Sequence, residues 1–154
     1  MTNGISYKSG PRQKVNLAYA IRVKEKGIES VFMQQISSVN QFEGFRLGHR
    51  VELREYLDSE GIDYQLRYRL NAEFAISGQD VNYRELYFKP GTTIIYAFSN
   101  VENDLEFRIS SYLGIQLTHG NKCEIGFDSR LNKFLAGSGR SRTFLVLAWY
   151  KSFG

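Results

Sequence analysis

A chain of 154 residues is long enough for one domain with its own core or one small closed barrel, and too short for several. Its single cysteine, Cys123, excludes an internal disulfide and a cysteine-based zinc site. The longest apolar run, Phe144 to Tyr150, is far short of the roughly 20 residues a membrane-spanning helix needs.

The net charge of +4 and the pI near 9.2 fit a solvated basic surface first and an anionic partner second. Aromatics make up 14% of the chain, and fourteen glycines stand against two prolines, a balance that favours strands joined by tight turns. Residues 1–12, with Gly4, Gly10 and Pro11, read as an irregular lead-in, and residues 13–154 as one β-domain.

"VNLAYAIRV" places Val15, Leu17, Tyr19, Ile21 and Val23 on one face of a strand. A weaker alternation follows around Val31 and Met33. "FRLGHRVELREYL" puts Phe45, Leu47, His49, Val51 and Leu53 opposite Arg46, Gly48, Arg50, Glu52 and Arg54. After the turn at Asp58 to Gly61, "YQLRYRLNAEFAI" alternates most cleanly, with Tyr64, Leu66, Tyr68, Leu70, Ala72, Phe74 and Ile76 on one side. The segment from Val81 to Ser99 predicts either one strand broken at Pro90-Gly91 or two short ones, since proline donates no ladder hydrogen bond. "LEFRISSYLGIQLT" and "CEIGFDSRL" form a hairpin about Gly120 and Asn121, and "TFLVLAWYKSF" ends the chain. The expected fold is all-β, a small closed antiparallel up-and-down barrel of about eight strands.

Alternation alone does not say which face looks inward. The polar faces hold Arg46, Arg50, Glu52, Arg54, Arg67, Arg69, Glu73, Glu106, Arg108, Glu124, Asp128 and Arg130, and almost no lysine, Lys122 being the nearest case. Arginine with carboxylate suits a confined network, because the planar guanidinium donates in a fork. Strand length also fits a tilted membrane strand of about 9–11 residues. Tyr56, Tyr64, Tyr87, Trp149 and Tyr150 lie towards strand ends, where an aromatic girdle would place them. These features predict an outer-membrane barrel with the twelve charged residues as a lumen ion-pair network. His49 runs against this, as an imidazole turned towards lipid. Substituting Arg67 or Arg69 is expected to strand a buried carboxylate at a cost of roughly 3–5 kcal/mol.

The stretches "FRLGHRVELREY", "YQLRYRLNAEFAI", "VNYRELYF", "LEFRISSYLGIQLTHGNKCEIGFDSRL" and "FLVLAWYKSF", spanning roughly Phe45 to Phe153, together resemble the bacterial outer-membrane barrel family called domain of unknown function 2490. The shared pattern is an R-x-E-x-R strand, an R-Y-R-L-x-x-E strand, an LGIQL-type hairpin and a last strand ending in an aromatic. Phe153 stands one place from the end, before Gly154. The resemblance implies an outer-membrane location in a Gram-negative bacterium and no established activity.

No cofactor, metal or catalytic site is expected. His119, with Ser110, Ser111 and Glu124 nearby in sequence, is the one base that a lipid-modifying enzyme would use, and the spacing defines no triad. "AGSGRS" lacks the phosphate-loop pattern, and "DSEGID" lacks calcium-loop spacing. Carboxylates interleaved with the arginines argue against nucleic acid. The expected partners are outer-membrane lipids or lipopolysaccharide, and another outer-membrane protein in a docking role. The alternatives to a non-enzymatic structural or docking subunit are a soluble lipocalin-like barrel around an apolar ligand and an outer-membrane lipid-modifying enzyme with His119 as its base. "MTNGISYKSGPRQK" has no apolar core, so the chain reads either as cytosolic or as a mature form whose export signal has been removed.

Overall fold

The computed structural model describes residues 2–24, 27–59, 61–76, 85–99, 103–118, 121–135, 137 and 139–151. They form nine strands: β1 (Thr2–Lys8), β2 (Gln13–Lys24), β3 (Gly27–Phe42), β4 (Phe45–Asp58), β5 (Gly61–Ala75), β6 (Leu86–Phe98), β7 (Asp104–Thr118), β8 (Asn121–Asn132) and β9 (Arg140–Lys151). Each pairs antiparallel with its sequence neighbours, so the single sheet runs from β1 to β9 without a crossover. No helix occurs among the described residues.

Three expectations change. There are nine strands rather than eight, because the segment read as an irregular lead-in carries β1, which pairs with β2 from Thr2 to Lys8. A neighbouring ladder outweighs the composition of a short segment. The sheet is also not closed: β1 and β9 each have one neighbour and one free edge. Sequential hairpins join every strand to the next, but that pattern does not specify a pairing of first with last. Finally, Pro90 does not split β6. The strand continues from Leu86 to Phe98, and the ladder to β5 skips Ala72 and Glu73 opposite Pro90 and Lys89.

The sheet curls. Side chains of one set are buried although no second layer covers them, and contacts on that face leap over strands. Lys122 Nζ on β8 lies 3.9 Å from Glu73 Oε2 on β5. Lys89 Nζ on β6 lies 5.7 Å from the centre of the Tyr150 ring on β9. Three strand spacings on a flat sheet would be about 14 Å.

Two glycines on the concave face make room for this. A Cβ at Gly114 would lie 2.3 Å from Tyr87 Cζ, and one at Gly126 would lie 2.0 Å from the Ser111 carbonyl oxygen and 2.7 Å from the Tyr112 ring. Aromatic rings thus lie across glycines on the next strand, a device that lets a sheet bend inward.

The strands are also staggered. Paired residues lead from Lys8, the last residue of β1, across the sheet to Arg142, the third of β9, nine positions from that strand's other end at Lys151. A drift of this kind accompanies strand tilt in a curled sheet.

Candidate functional site on the polar face

Period-two alternation divides the strands into two faces, and their exposures are opposite to those of a water-soluble barrel. The convex face is mainly apolar, with Ser30, Gln34, Ser38 and Asn40 of β3 as its chief polar stretch. One row of paired residues reads Phe42, Phe45, Phe74, Phe88, Leu113, Ile125 and Leu147 across β3 to β9. Another reads Tyr7, Val15, Ile36, Val51, Tyr68, Ile94, Phe107 and Leu131 across β1 to β8. These residues are mostly exposed, Leu147 at 81%. Among the described strand residues only Glu55, Lys151 and the titratable His49 break the uncharged pattern on this face. His49 Nδ1 meets the Tyr68 hydroxyl at 2.9 Å, so two polar groups on the apolar side satisfy each other.

All twelve residues of the predicted network lie on the concave face. A repeated local unit does much of the pairing: a carboxylate and an arginine two positions later, side by side on one strand. Arg54 Nε donates to Glu52 Oε1 at 2.6 Å, Arg130 Nε to Asp128 Oδ1 at 2.6 Å, and Arg108 Nε to Glu106 Oε1. Between strands, Arg67 Nη1 lies 3.6 Å from Glu52 Oε1, and Arg46 Nη2 lies 3.6 Å from Glu73 Oε1. Glu52 is 4% exposed and serves two arginines.

Glu124, 3% exposed, is the centre of the most buried cluster. Its Oε1 accepts from the Tyr87 hydroxyl and from Lys89 Nζ, both at 2.8 Å. Tyr87 was expected in a lipid-facing girdle, yet it is fully buried on the concave face. Tyr56 and Tyr150 also belong to that face, Tyr56 donating to Gln65 Oε1 and Tyr150 lying beneath Lys89. Tyr64 and Trp149 are on the convex face as expected. Sequence reading missed Lys89 and Glu29 altogether. Lys89 adjoins Pro90-Gly91, which masks the strand's phase, and Glu29 sits in a weakly alternating segment, buried near Arg22 at 3.7 Å.

Arg69 corrects the expected energetics. It has no carboxylate partner among the described residues; its Nε donates to Thr93 Oγ1 at 3.2 Å. The residue directly opposite on β4 is Arg50, also without an ion pair among the described residues. Two like charges face to face destabilise a ladder. They belong to a longer row that runs through paired positions of all nine strands: Lys8, Lys14, Ser37, Arg50, Arg69, Thr93, Arg108, Arg130 and Arg142. All but Ser37 and Thr93 are basic.

Ser110 and Ser111 lie on opposite faces, Ser110 Oγ donating to the Gly91 carbonyl at 3.4 Å. His119 lies outside the described residues, as do Phe153 and Gly154. Among the described residues no group of three or more His, Cys, Asp or Glu side chains is placed to hold a metal ion. Fold and site together define a class: a curled, single-layer antiparallel meander with a charged concave face and an apolar convex one. No family model, curated protein or solved structure matches the chain.

Proposed function

We propose that this chain is a membrane-embedded β-sheet protein of the outer-membrane type, non-enzymatic, serving as a structural or docking subunit. Its convex face meets lipid and its concave face encloses a polar, largely side-chain-filled interior. One observation carries this reading: the exposed face is rich in Leu, Ile, Val, Phe and Tyr and almost free of charge, while the charges gather on the concave face. A soluble container for an apolar ligand needs the opposite arrangement, with the Leu, Ile and Phe side chains lining the concavity.

The stagger of the strands supports the same reading, since tilt and shear accompany a sheet wrapped about an axis. The resemblance to outer-membrane barrels, carried by the R-x-E-x-R and R-Y-R-L-x-x-E strands, agrees with it. In lipid, unpaired backbone groups are too costly to leave open, so this function requires the free edges of β1 and β9 to find partners on insertion. The expected lipid partners are outer-membrane phospholipid or lipopolysaccharide.

The test is refolding with and without non-ionic detergent, followed by gel mobility of boiled and unboiled samples. A β-rich circular dichroism spectrum with a heat-dependent mobility shift that requires detergent is the expected result. A monomer that unfolds cooperatively in plain buffer would overturn the proposal.

A further inference from the structure

We propose that the concave face binds a small tetrahedral oxyanion, a phosphate or the phosphoryl group of a soluble phosphomonoester, at Arg69 and Arg108. The pairing register and the side chains of β4 to β8 define this site, whatever covers the convex face.

The basic row concentrates positive charge that the network neutralises only in part: Arg108 and Arg130 are held by Glu106 and Asp128, while Arg50 and Arg69 have no ion pair among the described residues. Arg50 and Arg69 stand opposite each other, and Arg108 follows on β7, one strand beyond Thr93, its Nε given to Glu106 and its terminal nitrogens left for a further acceptor. Such a like-charge juxtaposition is destabilising when empty and becomes favourable when an anion bridges it. Beside it lies a cavity of about 170 Å³, whose lining includes Arg69, Thr93, Arg108, Ser110 and Tyr112. At roughly 30 Å³ per water, that volume takes one oxyanion with a few waters.

The donors fit the shape of the ligand. Arg69 gives its Nε to Thr93, which leaves the terminal nitrogens of its fork for the ligand. Having accepted that bond, the Thr93 hydroxyl can donate its own proton. Tyr112 adds a hydroxyl from β7, while Ser110, whose own proton goes to the Gly91 carbonyl, forms part of the wall. Donors converging from three adjacent strands match oxygens set in a tetrahedron better than the two coplanar oxygens of a carboxylate.

Two acids, Glu124 and Asp128, also line the cavity. Their charge is already engaged: Glu124 by Tyr87 and Lys89, Asp128 by Arg130. The cavity opens on the face opposite to Ile94 and Ile109, so a free solute reaches it and a headgroup whose chains lie against the convex face does not.

The experiment is calorimetric titration of the folded full chain, in detergent or buffer as folding requires, with inorganic phosphate against chloride at matched ionic strength. Phosphorus NMR provides a second readout. Saturable binding is expected for the native chain. Arg69→Gln should weaken it about 10- to 100-fold, the loss of one charge-assisted contact, with Arg69→Lys intermediate. Arg22→Gln, on the same face but outside the cavity, should bind like the native chain. Circular dichroism and gel mobility establish that each variant is folded. Absence of saturable phosphate binding, or equal binding by folded Arg69→Gln, would overturn the proposal. So would a response only to an anionic lipid added to the micelles, which would move recognition to the lipid-facing surface.

Discussion

The centre of the sheet and its two outer strands follow the same alternating plan but fare differently. On β6 to β8 the concave residues are half-buried or better: Tyr87 and Ile95 are almost wholly buried, and Glu124 sits beneath its two donors. On β1 and β9 residues of both faces stay largely exposed, because each strand has a neighbour on one side only. Burial on a single-layer sheet therefore comes from curvature and from neighbours on both flanks. A strand acquires an interior only when the sheet wraps past it.

The sharpest way to break that contrast is to stop the centre from bending. Gly126→Ala puts a Cβ 2.0 Å from a backbone oxygen that cannot step aside, and should cost more than about 3 kcal/mol or prevent folding, read from the urea midpoint. Next, Glu124→Ala removes the acceptor of both the Tyr87 hydroxyl and the Lys89 ammonium. A loss of about 3 kcal/mol in the same assay is expected. The convex face is probed by Ile94→Lys, midway along β6. Against lipid it should cost about 2 kcal/mol or more, while against water it should be close to neutral. The smallest effect belongs to the edge: Ser6→Ala on β1, exposed and distant from the cluster, should change stability by less than about 0.5 kcal/mol. A large loss there would mean that β1 is covered in the folded protein.

Much of this was legible because a strand's alternation is local. On β4, β5, β7 and β8 the sequence assigns each arginine to its face, and the carboxylate-x-arginine units of Glu52, Glu106 and Asp128 are visible as triplets. Relations between strands are not local. Tyr87 meets Glu124 across 37 positions of chain, and nothing near Tyr87 marks its partner. The Pro90-Gly91 pair hides the continuity of β6, so Lys89 could not be given a face. Opposition of Arg50 to Arg69 depends on register, which the turn between β4 and β5 sets, and for that reason an arginine expected to hold a carboxylate instead faces another arginine. The free edges of β1 and β9 illustrate the same limit, since adjacent hairpins leave any relation between the first and last strands unspecified.

The uncrossed strand order has a kinetic consequence. The most widely separated paired residues are Tyr64 and Phe98, 34 positions apart, so every ladder closes a short loop. Hairpins can form one at a time and add to whichever is already in place, which is fast for an all-β chain. Bringing β1 to β9 would instead close a loop of nearly the full chain, about two doublings longer and roughly 1.2 kcal/mol costlier in entropy. Joining the ends is therefore the last and slowest step open to this molecule.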